Sequence, residues 1–407
     1  MNKLIMTHMQ CSGQKCLVTA METDGKLVTL QVENPQKEQL LGSIHVGKVQ
    51  KVLPNLNAAF VEIENHVPCF FAYEKENHII FRNAKKSQEL KPGDELLVQV
   101  TREAIKTKAP SVSSNLNFNG NYLVLTTGNR KVGFSSKLTD KQKDSLKEML
   151  EDVLSLERSF GVIVRTNAKE ATQEQLLAEF SQLKKELEST IHRGRFLPCF
   201  TKIKDGASAI SDALKNVHWE TLDKIVTDDS DIYQYACSLK KQSYTHVPCE
   251  IQYYQDKLLP LYKLYSLETG LQQALSEKVW LKSGGFLIIQ QTEAFVVIDV
   301  NSGKNASKKQ AETEYKKINQ EAASEIARQL RLRNLSGSIL IDFINMKQYE
   351  DQTELLSVMK HLVKTDRVQT TVVDVTGLGI MELTRKKAEK SLAEQWKELT
   401  GGAHKYE

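Results

Sequence analysis

Long apolar runs are missing from this 407-residue sequence, and nothing in it approaches the roughly 18 consecutive apolar residues that a membrane-spanning helix needs. No membrane segment is therefore expected. Met1 to Met9 also lack the charged start, long apolar stretch and small-residue cleavage site of a secretory leader, which makes the cytoplasm the expected compartment. Cysteine is scarce: six residues, at 11, 16, 69, 199, 237 and 249, are too thinly spread for a disulfide framework and are expected to be reduced thiols. Cys11 and Cys16 lie close together, but no second Cys/His pair with metal-ligand spacing follows, so zinc is not expected there. Charge of one sign is also lacking. Lys+Arg 55 against Asp+Glu 51 leaves +4, a balance too even to diagnose a nucleic-acid partner, so any such reading has to come from local features. No internal repeat or low-complexity tract is evident.

What is present is a soluble composition, 40% hydrophobic and 26% charged, on a chain long enough for roughly two to four packed units. From Leu41 to Val100 short runs alternate apolar and polar residues at period two and are separated by Pro, Asn and Gly, the pattern of a small β-barrel. Pro92-Gly-Asp supplies a turn between two of them. From Asp140 to Leu187 the period becomes helical. Leu146, Met149, Leu150, Val153 and Leu154 line one face and Leu176, Leu177, Phe180, Leu183 and Leu187 another, with short strands at Tyr122-Leu-Val-Leu and Gly161-Val-Ile-Val-Arg. Residues 206–279 are the least informative. In the C-terminal third, Phe286-Leu-Ile-Ile, Ala294-Phe-Val-Val-Ile-Asp and Ser338-Ile-Leu-Ile-Asp-Phe read as apolar strands interrupted by a long helix. Ala323, Ile326, Ala327 and Leu330 share one face of that helix, with Arg328, Arg331 and Arg333 largely off it.

Two of these strands end in a carboxylate, Val296-Val-Ile-Asp299-Val-Asn301 and Ile339-Leu-Ile-Asp342-Phe-Ile-Asn345. Residues two apart on a strand share a face, so Asp299 and Asn301 can offer oxygens to one ion and Asp342 a third. A small set of hard oxygen ligands suits Mg2+ better than zinc, and a bound Mg2+ can activate water and neutralise phosphate charge. The blander alternatives are helix capping or backbone bonding at a strand end, and a sugar- or nucleotide-binding pocket competes with the metal site.

Ser283-Gly-Gly, Thr292-Glu-Ala, Ile298-Asp-Val-Asn-Ser-Gly, Glu325-Ile-Ala-Arg-Gln-Leu-Arg-Leu-Arg-Asn and Ile341-Asp-Phe-Ile follow one another, and this wording closely resembles the ribonuclease E/G family from the N-terminus to about Arg385. The resemblance implies a multidomain α/β and α+β chain. In it, an RNase H-like unit (1–38 and 208–278) is split by an inserted OB-fold barrel of the S-one type (39–117). A 5′-sensor unit (118–207), a DNase I-like catalytic unit (279–395) and a tail (396–407) follow. It further implies an Mg2+-dependent endoribonuclease, with Mn2+ able to substitute. The substrate would be single-stranded A/U-rich RNA in ribosomal RNA precursors and messenger RNA, cleaved in processing and decay to leave 5′-phosphate and 3′-hydroxyl ends.

By the same resemblance Asp299 and Asp342 are the catalytic, metal-binding carboxylates, with Asn301 assisting. Phe60, Phe70 and Lys108 hold RNA by stacking and charge, although barrel aromatics are commonly core. Arg165 and Thr166 belong to the 5′-phosphate sensor. Arg328, Arg331 and Arg333 either line the RNA path or form a solvated helix face, and stand with Asn345 as candidate supports; Glu321, Glu382 and Arg385 are further supports. Several positions depart from the family. Asn345 stands where an aspartate is usual, and Ser136 and Gln369 replace arginines of the sensor. The cysteine pair of the family's zinc link and the following small domain have no counterpart after Arg385. No zinc and no degradosome scaffold tail are expected, while a homodimer through the catalytic units is allowed. The competing readings are an RNA-binding relative with weak or lost cleavage, motivated by Asn345, and a carboxylate-dependent DNA nuclease.

Overall fold

The computed structural model describes residues 1–35, 40–73, 78–83, 85, 89–104, 108–154, 159–206, 208–244, 247–303, 311–387 and 389–401. The chain forms two compact units, one from Met1–Pro35, His218–Lys240 and Tyr244–Glu407, the other from Gln36–Val217 with Lys241–Ser243. It opens with an antiparallel meander, β1 (Asn2–Cys11), β2 (Gln14–Thr23) and β3 (Lys26–Glu33).

The second unit begins with β4 (Ile44–Leu53), β5 (Ala58–Glu62), β6 (Pro68–Ala72), β7 (Glu95–Arg102) and β8 (Ser111–Ser113). They pair in the order β4-β5-β6-β8-β7, and β7 returns to β4, closing a five-stranded barrel of OB-like form. Period-two alternation turns Val49, Val61, Phe71, Leu96, Val98 and Val112 into the barrel core. An α+β layer follows: β9 (Asn117–Asn119), β10 (Leu123–Thr126), β11 (Val132–Phe134), α1 (Asp140–Met149), α2 (Glu151–Leu154), β12 (Gly161–Val164) and α3 (Gln173–Phe196). Thr139 with Gln142 and Thr172 with Gln175 form capping boxes that start α1 and α3. Leu176, Phe180, Leu183 and Leu187 of α3 pack with Leu123, Leu125 and Val162, the face that the helical spacing predicts. β13 (Lys202–Lys204) then pairs with β4, and α4 (Ala209–Asn216) ends this unit.

Back in the first unit run β14 (Lys224–Thr227), α5 (Ser230–Ser243, apart from its last three residues), β15 (Glu250–Tyr253), α6 (Leu261–Leu264) and α7 (Leu267–Leu275). β14 pairs in parallel with β1, so residues from both sides of the inserted segment share one sheet, β15-β14-β1-β2-β3. A second sheet is built from β16 (Lys278–Trp280), β17 (Phe286–Gln291), β18 (Phe295–Asn301), β19 (Gly337–Asp342), β20 (Thr370–Val375) and β21 (Ile380–Arg385), in the order β16-β17-β18-β19-β21-β20. The helices α8 (Ala311–Leu332) and α9 (Tyr349–Val363) cover one face of it, burying Ile298, Ile326, Ile339, Ile341 and Met359 together. The segment expected as a tail begins inside α10 (Leu392–Leu399), whose Trp396 and Leu399 are buried with Ile5 and Val18; residues 402–407 of that expectation lie outside the described residues.

The expectation of six reduced thiols is corrected at one pair. Cys11 and Cys16 are joined by a disulfide, with Cα atoms 6.2 Å apart. The hairpin register sets Cys16 opposite Met9 and Cys11 opposite Gln14, which brings the two side chains together diagonally; sequence spacing alone did not reveal that register. Both sulfurs are consumed, so neither is a metal ligand. Cys69, Cys199, Cys237 and Cys249 are free.

Candidate active site

Asp299 ends the run Val296, Ile298, Val300 by pointing the other way. Those three side chains are buried under the helices, whereas Asp299 is exposed on the opposite, open face of the sheet. β19 repeats the arrangement with Ile339 and Ile341 buried and Asp342 exposed. The parallel register makes Asp299 and Asp342 direct Cα partners. Partners on neighbouring strands lie about 5 Å apart and present their side chains to the same face. The two carboxylates expected from the sequence to share a site are thus placed side by side. Asn301, half-buried on the same face, donates its side-chain N–H to Asp299 Oδ2 at 2.7 Å, fixing the orientation of that carboxylate. Asn345 is exposed in the segment beyond β19. Glu382 is the register partner of Leu340 and of Asp374, one row along the same face.

Two loops frame the pair, and α8 anchors both. The Glu321 carboxylate accepts from the backbone N–H of Lys282 at 2.6 Å and of Ser283 at 3.1 Å. Burial pushes this carboxyl up, but the Ser283 hydroxyl, the two amides and the Lys282 charge outweigh it and hold it below its ordinary value. The glycines beside Ser283 are needed for close approach: a Cβ on Gly285 would meet the Asn301 carbonyl at 2.7 Å, and one on Gly303, at φ +70°, would meet the Gly284 carbonyl at 2.5 Å. On the other side the buried Asn319 donates to the Ile344 carbonyl at 2.7 Å and accepts from the Ile344 N–H at 3.1 Å, fixing the chain just after Asp342. Glu321 carried a visible family-like context, whereas Asn319 was missed, because a lone asparagine within a helix has no spacing signal.

Arg328 and Arg331 of α8, and Arg333 just past its end, are framework residues in this arrangement. Arg328 pairs with Glu325 and donates to the Leu27 carbonyl at 2.6 Å, and Arg331 donates to Thr365 Oγ1 at 3.0 Å. Arg333 is buried, bonds Gln329 and reaches the carbonyls of Ser276 and Gln273 at the end of α7. Burial brings its guanidinium down to about 10. Arg385 is buried against Asp366 at 2.7 Å and also donates to Asn334 Oδ1 and the Leu335 carbonyl.

In the barrel, Phe60 and Phe70 are cross-strand partners with ring centroids 6.1 Å apart, edge to face. Both are half-buried on the outside, and neither belongs to the barrel core, which is filled by Phe71. Register continues the outer row to exposed Lys51 on one side and, through Ser111, to exposed Arg102 on the other. Lys108 is exposed shortly before Pro110, whose carbonyl accepts from Phe70 N–H. Arg165 donates to the Gly120 carbonyl at 2.5 Å, and Thr166 Oγ1 lies 2.8 Å from Ser135 Oγ, next to exposed Ser136. Gln369 is exposed and belongs to the other compact unit.

The donor set of the paired aspartates fits a hard divalent cation held through few protein ligands: two adjacent exposed carboxylates and an amide oxygen, with room left for water. It does not fit a closed nitrogen and sulfur site, and among the described residues no group of three His, Cys, Asp or Glu side chains converges. Among the described residues no helix is long and apolar enough to cross a membrane.

Residues 117–388 match the model of the Ribonuclease E/G family. The chain is 28% identical over 382 residues to Ribonuclease G of Escherichia coli (strain K12), covering 90% of this chain and 77% of that protein. It is 29% identical over 398 residues to Ribonuclease G of Haemophilus influenzae, covering 94% and 80%. Ribonuclease E of Nostoc sp. is 30% identical over 364 residues, 87% of this chain, which spans 52% of that relative.

Proposed function

Since the chain belongs to the ribonuclease E/G family and is an endoribonuclease, we propose that it cuts single-stranded, A/U-rich RNA with Mg2+ held by Asp299 and Asp342, leaving 5′-phosphate and 3′-hydroxyl ends. The observation that carries this reading is the register match of the two exposed aspartates on the open face of a sheet whose other face is packed. Mg2+, or Mn2+ in its place, supplies charge neutralisation at the phosphate and a more acidic bound water. Asp299 and Asp342 hold that charge, and Asn301 orients Asp299 through its 2.7 Å hydrogen bond. Glu321 and Asn319 keep the two flanking loops in place, so the donors are held ready before substrate arrives. Phe60 and Phe70 offer an outward aromatic pair flanked by Lys51 and Arg102, and Lys108 adds a further exposed cation, the combination that stacks bases and tracks phosphates. Processing of ribosomal RNA precursors and decay of messenger RNA in the cytoplasm are the settings proposed for this activity.

The test is incubation of purified protein with a labelled A/U-rich oligoribonucleotide and its DNA counterpart, with and without Mg2+. Cleavage of the RNA only when Mg2+ or Mn2+ is present is expected. Retained RNA binding with no cleavage at any metal concentration would instead support the binding relative suggested by Asn345, and equal cleavage of DNA would support a general nuclease.

A further inference from the structure

The open face of the C-terminal sheet carries more than carboxylates. Cross-strand partners point to one face, so the register aligns Trp280, Phe286 and Asn301 in one row. The adjoining row on that face is Lys278, Ile288, Asp299 and Asp342. Trp280 leaves 66% of its surface in solvent, whereas Trp219 and Trp396 are buried. Its ring meets Phe286 edge to face with centroids 5.4 Å apart, and Lys278 Nζ lies 3.9 Å from the centroid of each ring.

We propose that Trp280, Phe286 and Lys278 form a base-stacking subsite that holds an unpaired nucleobase of the RNA beside the phosphate addressed by Asp299 and Asp342. The proposal rests on the ribonuclease reading above. Aromatic faces stack any base, and a cation beside them meets the backbone phosphate. β16 is separated from β18 by one strand, so Trp280 stands roughly 10 Å across the sheet from the strand of Asp299 and Phe286, on the adjoining β17, roughly 5 Å, within reach of a neighbouring nucleotide. Charge decides between RNA and a second copy of this chain. The core of a protein interface is depleted of charge. Here Lys278 sits against the rings, and the exposed carboxylates Asp299 and Asp342 share the face. An RNA strand uses every one of these groups: base on ring, phosphate on lysine, scissile phosphate at the carboxylates.

The test uses the full chain in two forms. In an Asp342→Asn background without added divalent metal, which slows turnover enough for binding to be read, a single-stranded RNA oligonucleotide is titrated while tryptophan emission is followed. Quenching is expected, and it should vanish when Trp280→Phe is added, because Trp219 and Trp396 are buried. In the otherwise unaltered chain, Trp280→Ala is expected to raise KM about tenfold, within the range of one lost base stack. Trp280→Phe should restore most of that loss, and Lys278→Gln should raise KM and flatten its dependence on salt. Absence of quenching with unchanged KM in Trp280→Ala would overturn the subsite while leaving the ribonuclease reading intact. A lower mass by light scattering for Trp280→Ala, with KM unchanged, would assign the face to a second copy and overturn it equally. Quenching by RNA in a wild-type chain that cleaves none would instead support the subsite and remove the catalytic reading.

Discussion

An Asp→Asn change at the site keeps side-chain shape and removes charge, which isolates the electrostatic role of each carboxylate. Asp299→Asn and Asp342→Asn are each expected to slow single-turnover cleavage by about 100-fold or more, the scale of losing preorganised charge stabilisation. Binding of the same RNA should survive, and a variant cleaving at the wild-type rate would contradict the assignment. Asn319 makes a different kind of contribution. Replacing it with leucine strips Ile344 of both backbone partners, a loss of about 1–3 kcal/mol for buried groups left unpaired. A lower melting temperature together with slower cleavage is expected; unchanged values for both would show that the segment after Asp342 holds itself. The aspartates were legible because an apolar strand ending in a carboxylate recurs twice, and period two then dictates which way each points. Asn319 was not legible, since its function depends on which loop lies against α8. Arg333 shows the same limit, as the helical spacing that identifies the buried face of α8 cannot anticipate that the residue just past its end is buried against carbonyls at the end of α7.

Among the elements, the barrel gives a clean contrast between face and core. Alternation announced its strands, but which phenylalanines point outward depended on the register, and the β4–β7 closure has no local signature. Phe60→Ala with Phe70→Ala is expected to weaken RNA binding by roughly 1–3 kcal/mol per stacked base without a large change in melting temperature. Phe71→Ala, in the fully buried core, should cost about 3–5 kcal/mol of stability. Titrations and thermal melts of the two variants side by side check this; equal destabilisation would return the outer pair to the core. The anchor between α8 and the Ser283 loop is testable through pH. The Glu321 carboxyl is lowered in the fold, so in the acid range the unfolded chain binds the extra proton and stability rises with pH. Its contribution is complete above the ordinary value of about 4.5 and is lost as pH falls through the lower folded value. Glu321→Gln should flatten the acid limb of the melting-temperature profile between pH 3 and 6, and a limb of unchanged slope would contradict the anchor.

For the molecule as a whole, the pairing of β1 with β14, more than 200 residues apart, has no local signature, because no local pattern reports contacts at that separation. The 5′-end sensor implied by the resemblance has no local signature either: Arg165, Thr166 and Ser136 belong to one compact unit and Gln369 to the other. Thr166 bonds Ser135 and so stands next to exposed Ser136, while Arg165 already gives one of its donors to the Gly120 carbonyl. Where the resemblance expects an arginine, Ser136 offers no cation beside Thr166, removing a charge-assisted and bidentate contact to a phosphate. Each such hydrogen bond is worth roughly 1.5–3 kcal/mol before solvent screening, enough to separate a strong from a weak preference. The chain should therefore discriminate little between 5′ ends and rely on internal entry along the barrel. The measurement is the ratio of cleavage rates on identical RNAs carrying a 5′-monophosphate or a 5′-hydroxyl. A ratio near one is expected for the wild type, rising in the Ser136→Arg variant, because exposed Ser136 leaves space for the longer side chain. A large wild-type ratio that Arg165→Ala abolishes would mean that Arg165 and Thr166 read the phosphate without the missing arginines.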